Sequence, residues 1–287
     1  MNKSIIWATI LLTCPDRKGI VATVTDFLYR NDGNILHADQ HIDDESKTLF
    51  MRVEFDLADF AIEKEYLKEK FDEITKKFSM QYSIKFSSEI QNIAIFAGKE
   101  EHCLFDILLK QKAGELKCNI PLIISNHPDM ENIAKFFNCK YYVIEKTPEN
   151  KISQEMKEAE LLEKFKIDTI ILAKYMQILS PNFIENYPDR IINVHHSFLP
   201  AFKGAKPYLQ AYTRGVKLIG ATAHYVTEEL DNGPIIEQEV VRVSHRDILS
   251  DFIEKGKIVE KLVLARALKA HLENKILVYG NKTVVFD

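Results

Sequence analysis

The chain has 287 residues, of which 46% are apolar and 28% charged, and 38 lysines and arginines against 42 acidic residues leave a formal net charge of −4. This length predicts one large or two modest domains, and the composition suffices for a buried core, which excludes a mainly disordered chain. The slight acidic excess argues against nucleic-acid and anionic-membrane partners. No apolar run reaches the roughly 20 residues that span a bilayer.

The first apolar segment has two interpretations, a secretion signal or a buried strand. Residues 5–13 are rich in β-branched side chains, and an amphipathic helix follows directly, which favours the strand. The four cysteines form no CxxC pair, so a reduced, cytoplasmic protein is expected.

The front of the chain alternates strands and helices in a recognisable order. Apolar spacing predicts strands over 5–13, 34–42, 47–57 and 80–86, with helices over about 19–31 and 61–77. The order β-α-β-β-α-β predicts a ferredoxin-like domain, residues 1–87, with a four-stranded antiparallel sheet and both helices on one face.

From residue 88 onward, short and nearly continuous apolar strands alternate with helices. Such strands are typical of a Rossmann-like, mostly parallel sheet covered on both faces, and they predict an α/β second domain over 88–287. The strands are predicted at 93–97, 120–125, 141–144, 169–172, 191–194, 218–226 and 235–243, and the helices near 102–113, 129–137, 152–166 and 247–273, before a hairpin of 276–278 and 283–286.

The second domain lacks the signals of a nucleotide-binding sheet. No GxGxxG occurs, and the turn after its first strand, residues 97–102, carries one glycine and two glutamates. Backbone amides in such a turn do not readily wrap a phosphate, and the carboxylates repel it.

Chemically distinctive side chains are concentrated after the strand at 191–194 and between the last two long strands. Asn193 and His195 are two apart in extended chain and point the same way, and Asp231 lies on a tight turn. An amide donor, an imidazole and a carboxylate are suited to attack on a formyl or acyl carbon.

Two other interpretations of these residues remain open. Ser197 could be a nucleophile, although it lacks a GxSxG elbow. His195, His196, His224 and Asp231 could bind a metal, although adjacent histidines in extended chain point to opposite sides.

These motifs resemble the formyltransferase family that uses 10-formyltetrahydrofolate, and within it the formyltetrahydrofolate deformylases. His195-His196-Ser197 stands where transformylases usually have His-Pro-Ser, and the segment 99–106 is deformylase-like. The segment 14–20 resembles an ACT regulatory domain. The residues that carry the family resemblance are Asn193-x-His195, Ser197-x-Leu199-Pro200, Gly204, Thr222-Ala223-His224 and Asp231-x-Gly233-Pro234-Ile235-Ile236.

The resemblance implies hydrolysis of 10-formyltetrahydrofolate to formate and tetrahydrofolate, without a cofactor or a metal. Asn193 is then expected to bind the formyl oxygen, His195 to assist proton transfer to the leaving N10, and Asp231 to hold the attacking water. The folate pocket is expected between two walls, Met176, Gln177, Ile178 and Leu179 on one side and Thr227, Glu228 and Leu230 on the other. A buried helix start is the alternative for 176–179.

The ACT resemblance implies a small amino-acid effector, methionine or glycine, and a dimer or tetramer. The residues expected at the effector site are Asp16, Lys18, Gly19, Asn34 and Ile35. Two alternative functions remain, formyl transfer to a phosphorylated amine of the glycinamide ribonucleotide type, and a non-catalytic folate or amino-acid sensor.

Overall fold

The computed structural model describes residues 6–201 and 206–287. Ile5, at the start of the first predicted strand, and Gly204 of the motif lie outside the described residues. The rest separates into two compact units. The first runs to Ile90 and also contains Asn274–Leu277 and Val284–Asp287, and the second contains Gln91–Glu273 and Val278–Thr283.

The expected division at 87 and 88 differs from these units mainly at the C-terminus. Arg52 in the first unit donates from Nε to the Asn274 carbonyl at 3.0 Å, and Phe286 N donates to the Lys275 carbonyl at 2.8 Å. The last residues of the chain thus pack with the first unit, which the local sequence pattern does not show. The functional division 1–87 and 88–287 itself stays a prediction.

The first unit has the predicted ferredoxin-like order. Its elements are β1 Trp7–Pro15, α1 Ile20–Arg30, β2 Ile35–Asp43, β3 Thr48–Asp56, α2 Lys64–Thr75 and β4 Gln81–Phe86. The strands form an antiparallel sheet in the order β2-β3-β1-β4.

Alternate residues of β1 explain why both helices pack on one face. Because successive strand side chains point to opposite faces, Ala8, Ile10, Leu12 and Cys14 form one apolar row. They share a buried core with residues one helical turn apart in the two helices, namely Ile20, Val24 and Leu28 of α1 and Leu67 and Phe71 of α2.

The second unit is built on a seven-stranded sheet in the order β11-β10-β9-β8-β5-β6-β7. Strands β5 to β9 are parallel, and β10 and β11 are antiparallel to their neighbours. Its elements are β5 Gln91–Ala97, α3 His102–Lys112, β6 Cys118–Ser125, α4 Glu131–Phe136, β7 Lys140–Val143, α5 Lys151–Lys164, β8 Thr169–Ala173, α6 Pro181–Glu185, β9 Ile191–His195, α7 Pro207–Arg214, β10 Leu218–Tyr225, β11 Ile235–Arg242 and α8 Leu249–Leu272. A hairpin of β12 Ile276–Tyr279 and β13 Lys282–Val285 follows, and the division between the two units runs through both of its strands.

Two of these helices, α6 and α7, were not predicted. Both begin at a proline, and α6 has five residues, too few for apolar periodicity to appear. The Ser180 hydroxyl accepts a hydrogen bond from Phe183 N at 3.2 Å, so a Ser-Pro helix start was readable in the sequence.

The strand order also fixes where a ligand can bind. The chain leaves β5 toward β6 on one side and returns through α5 to β8 on the other, so a topological switch point lies between β5 and β8. In open α/β sheets, ligands bind at the carboxyl ends of the strands near such a point. Among the described helices, none is long and apolar enough to cross a membrane.

Candidate active site

A cavity of about 320 Å³ opens beyond the carboxyl ends of β8 and β9. It is lined by all of the residues expected to be catalytic or to contact folate, namely Met176, Gln177, Ile178, Leu179, Asn193, His195, Thr227, Glu228, Leu230 and Asp231. The structure therefore brings together three segments, 176–179, 193–195 and 227–231, that are separated in sequence by 13 and 31 residues, while their catalytic and binding roles stay predictions.

His195 and Asp231 form a partly buried pair. The imidazole Nδ1 lies 3.3 Å from Asp231 Oδ1, and the hydrogen bond from His195 lowers the pKa of Asp231 below its usual value. His195 Nε2 is buried and has no hydrogen-bond partner among the described residues. A carboxylate thus orients one nitrogen of a cavity-lining imidazole and leaves the other for a ligand.

The Asn193 amide is held from the neighbouring strand. Asn193 lies opposite His224 in the β9–β10 pairing, and its Nδ2 is 3.3 Å from His224 Nε2. Burial lowers the pKa of His224, so its ring is neutral, and its Nδ1 lies 2.9 Å from the Tyr225 carbonyl. That geometry makes Nδ1 the donor and Nε2 the acceptor, which leaves one amide hydrogen of Asn193 free for a ligand.

Local turn chemistry places the Asp231 carboxylate. Asp231 has φ of +53°, and a Cβ at Gly233 would lie 1.8 Å from the Tyr225 carbonyl oxygen, so only glycine fits there. The Thr227 hydroxyl donates to the Glu229 carbonyl, and Asn232 Nδ2 donates to the Glu229 carboxylate at 2.9 Å. This wall, residues 227–233, is held mainly by contacts within itself and with the end of β10.

The opposite wall, residues 175–180, is held by hydrogen bonds to two glutamates of α5. Its first residue, Tyr175, donates from its hydroxyl to Glu158 at 3.1 Å, and its last, Ser180, donates from N to Glu155 at 3.0 Å. The Lys146 ammonium lies 2.8 Å from Glu158 and 3.7 Å from Glu155. A buried cation and two buried carboxylates therefore fix both ends of the wall.

Between those ends the chain is irregular. Met176 and Ile178 are 63% and 61% exposed. Leu179 is buried, and the next helix begins only at Pro181, so the alternative of a buried helix start at 176–179 is wrong and the segment is an irregular, partly exposed cavity wall. Lys146, Glu155 and Glu158 were missed from sequence, because two glutamates three apart look like ordinary exposed residues of an amphipathic helix.

His195 and His196 were expected to point to opposite sides of an extended chain, and the structure shows that they do not. The ring centroid of His196 lies 5.1 Å from that of His195, and both residues line the cavity, because β9 ends at His195 and strand alternation stops there. Burial, together with the positive charge of Lys174, lowers the pKa of His196 to about 4. The Ser197 hydroxyl donates to the Ala201 carbonyl at 2.7 Å rather than to an imidazole.

The one cluster among the described residues with donor atoms close enough for a metal ion is elsewhere. Ligand atoms of His102, Cys103 and Glu260 lie within 4.8 Å of one another. The Lys174 ammonium lies 3.2 Å from Glu260 and already supplies a positive charge there. A metal-free reaction stays a prediction.

The residues expected at the effector site are not brought together within one chain. Asp16 N donates to the Lys47 carbonyl at the far end of β1, whereas Ile35 pairs with Phe55 at the near end. Nine residues of β1 separate these ends, about 30 Å at about 3.3 Å per residue. Because β1 and β2 start at the same end of the sheet, Asp16–Gly19 and Asn34–Ile35 lie at opposite ends of it, and their role at an effector site stays a prediction.

Comparison with known proteins covers both units. Residues 91–268 match the formyl transferase family model, and residues 8–69 match the ACT domain model. A formyltetrahydrofolate deformylase of Synechocystis is 51% identical over 97% of this chain and 98% of its own length, and one of Bacillus subtilis is 45% identical over 97% and 93%.

Solved structures agree with the sequence relatives. The crystal structure of a formyltetrahydrofolate deformylase from Pseudomonas syringae pv. tomato superimposes with a TM-score of 0.97 at 45% identity, covering 100% of this chain and 96% of that one. A glycinamide ribonucleotide transformylase from Symbiobacterium toebii has a TM-score of 0.66 at 26% identity and covers 70% of this chain and 97% of its own.

Proposed function

This chain belongs to the formyltetrahydrofolate deformylase family, and from that membership we propose that it hydrolyses 10-formyltetrahydrofolate to formate and tetrahydrofolate. The observation that carries the proposal is the meeting of Asn193, His195 and Asp231 at one cavity. The similarity to deformylases extends over both units, whereas the transformylase similarity leaves almost a third of the chain unmatched.

We propose a step for each group on the basis of this geometry. The free amide hydrogen of Asn193 stabilises the negative charge that develops on the formyl oxygen. Asp231, ionised because its pKa is lowered, holds a water molecule and accepts its proton as the oxygen attacks the formyl carbon. As the bond from carbon to N10 breaks, His195 delivers a proton from Nε2 to N10. The proton that Asp231 took from the water then passes to His195 across the Nδ1–Oδ1 contact, so both groups are restored and formate leaves.

The cavity walls supply the folate contacts. Main-chain groups of 176–179 pair with the pterin, and Thr227, Glu228 and Leu230 close the other side. Each step uses only side chains of this chain, so we propose a reaction without a cofactor or metal. We place it in the cytoplasm, in keeping with four free cysteines.

We further propose that the ACT-type unit binds methionine or glycine between two copies. β2 is an edge strand on which Leu36 and Ile42 are 42% and 39% exposed, which favours pairing with a second copy. Antiparallel pairing of two β2 strands puts Asn34 and Ile35 of one copy at the same end of the joined sheet as Asp16–Gly19 of the other. A dimer, or a tetramer built from dimers, thus joins residues that one chain keeps apart.

Formate release tests the proposed activity. Purified protein is incubated with 10-formyltetrahydrofolate alone and with glycinamide ribonucleotide, and formate and tetrahydrofolate are measured. Equal amounts of both without the nucleotide are expected. Turnover that requires the nucleotide and releases no formate would establish the transferase instead, and no turnover in either mixture would favour a sensor.

Replacing the carboxylate that holds the water tests its role. We expect Asp231→Asn to lower kcat by about 100- to 1000-fold, as for loss of one transition-state group, with folate affinity little changed. The matched control is Asp129→Asn, at an exposed position. A kcat within threefold of the unmodified enzyme in Asp231→Asn would contradict the assignment.

A further inference from the structure

The switch-point crevice between β5 and β8 is occupied by the protein's own side chains. The two strand ends touch, since a Cβ at Gly98 would lie 2.0 Å from the Lys174 carbonyl oxygen. In folds of this type that crevice usually holds a ligand. The side chains that occupy this crevice can therefore affect which molecules reach the active cavity.

Five polar residues from four parts of the fold fill the crevice, and we term them the switch-point cluster. They are Glu100, His102, Lys174, Tyr208 and Glu260. Glu260 Oε2 lies 2.7 Å from His102 Nε2 and 3.2 Å from the Lys174 ammonium, and Glu260 Oε1 accepts from the Tyr208 hydroxyl. Burial would raise the pKa of Glu260, but the His102 hydrogen bond and the Lys174 charge outweigh it and lower the pKa to about 2.

A glycine inside α8 shows that the helix is shaped around this cluster. A Cβ at Gly256 would lie 2.2 Å from the Tyr208 hydroxyl oxygen. Glycine within a helix costs about 1 kcal/mol relative to alanine, and here it makes room for the Tyr208 ring tip. The position of Tyr208 against Glu260 is therefore a built feature of the fold.

The cluster borders the active cavity directly. Lys174 and His196 line that cavity, and the His196 ring lies 6.0 Å from Tyr208 and 5.1 Å from His195. A second nucleophile that reached the formyl carbon through the crevice between β5 and β8 would have to separate Glu260 from Lys174 and His102, which is strongly unfavourable.

We propose that the switch-point cluster determines nucleophile specificity, by closing the crevice through which an amine acceptor would approach and leaving water at Asp231 as the nucleophile. The inference rests on the proposed hydrolysis and adds the reason for its choice of acceptor. With water, a carbon–oxygen bond forms, the bond to N10 breaks and a water proton ends on N10. With an amine, a carbon–nitrogen bond forms, and an amine proton ends on N10.

Product partitioning tests the inference with hydroxylamine as the probe amine. Each enzyme is supplied with 10-formyltetrahydrofolate and hydroxylamine, and the ratio of formohydroxamate to formate is measured after subtraction of the uncatalysed reaction. Tyr208→Ala empties the crevice, and Gly256→Ala displaces Tyr208 without altering a cluster residue. Tyr208→Phe is the matched control, since it keeps the ring and removes only the hydroxyl.

We expect the ratio to rise at least about tenfold in Tyr208→Ala and Gly256→Ala and to stay within about twofold of the unmodified enzyme in Tyr208→Phe, a tenfold change being about 1.4 kcal/mol. The ratio reports only on folded, active molecules, so partial unfolding does not imitate the result. If Tyr208→Ala fails to fold, the product ratio of Gly256→Ala alone tests the inference.

Two results would overturn the inference. One is an unchanged ratio in the variants that turn over. The other is folded Gly256→Ala protein without any turnover, which would mean that the cluster serves the chemistry itself. Formate release by the unmodified enzyme is measured in the same assay, so failure of the proposed hydrolysis is seen separately.

Discussion

The two walls of the active cavity are held in different ways. The wall 175–180 is tied at both ends to a buried group of one cation and two carboxylates, Lys146, Glu155 and Glu158. The wall 227–233 is held by turn contacts within itself and by a glycine packed on β10. The first wall carries predicted folate contacts only, and the second also carries Asp231. The wall tied to buried charged groups thus supports binding, and the wall formed by a compact turn positions the reacting carboxylate.

Among the variants of the two walls, removal of the buried Lys146 ammonium should cause the largest loss of unfolding free energy. Lys146→Met leaves Glu155 and Glu158 buried without a counter-charge, so we expect a loss of about 3–5 kcal/mol in unfolding free energy. Because the wall loosens at both ends, KM should rise more than kcat falls. Urea unfolding and steady-state kinetics measure both. The control is Lys157→Met, at an exposed position on α5, the helix that carries Glu155 and Glu158. A fall in kcat at constant KM would contradict the binding role.

A change in the second wall should lower kcat, whereas a change in the first wall should mainly raise KM. In Gly233→Ala the new Cβ must move away from the Tyr225 carbonyl, which shifts the turn that carries Asp231. We expect kcat to fall about tenfold or more, since small displacements of a reacting group are costly, with KM nearly unchanged. Gly280→Ala is the control for backbone strain without a clash, since its Cβ would meet nothing within 4 Å although its φ of +55° is unfavourable for alanine. A rise in KM alone would show that the walls do not differ as described.

The walls should also differ in the sign of their pH dependence. Burial raises the pKa of Glu158, so its stabilising contribution is complete below the ordinary value of about 4.3 and is lost as pH rises through the folded-state pKa. The His195 hydrogen bond lowers the pKa of Asp231, so its contribution is present above about 3.9 and is lost as pH falls through the lowered pKa.

Unfolding free energy measured between pH 3 and pH 7 tests these signs. Glu158→Gln should flatten the curve above about pH 4.3, and Asp231→Asn should flatten it below about pH 3.9. If both variants flatten the same side of the curve, the electrostatic difference between the walls is wrong.

The smallest effect is expected from one turn contact. Asn232→Ala removes the hydrogen bond to the Glu229 carboxylate, which is exposed, so we expect a loss of about 0.5–1 kcal/mol in unfolding free energy. kcat should stay within threefold, because Gly233 still fixes the turn. Thermal unfolding and kinetics of the same preparation measure both, and a loss as large as that in Lys146→Met would contradict local anchoring.

The parts of the site that sequence predicted depend on strands. Asn193 and His195 follow from alternation in a short apolar strand, and Asp231 follows from a turn between two long strands. Both kinds of pattern are local, so they can be found without the tertiary structure. The family resemblance pointed to both walls, and both line one cavity, while their folate contacts stay a prediction.

The parts that sequence missed depend on contacts between distant segments. Glu155, Glu158 and Glu260 are buried, yet glutamate is normally exposed, so composition alone assigns all three to the surface. Lys146 and Tyr208 acquire their partners only through tertiary packing. The effector residues were taken from the ACT resemblance, whereas the order and direction of β1 and β2 place Asp16–Gly19 and Asn34–Ile35 at opposite ends of the sheet.

The free edge of β2 has a consequence for how this protein would sense an amino acid. If the ligand touches Asp16–Gly19 from one chain and Asn34–Ile35 from another, saturation and self-association become linked equilibria. By mass action, the half-saturating concentration of the amino acid would then fall as the enzyme becomes more concentrated. The amount of protein would therefore help to set how much amino acid is needed for a response.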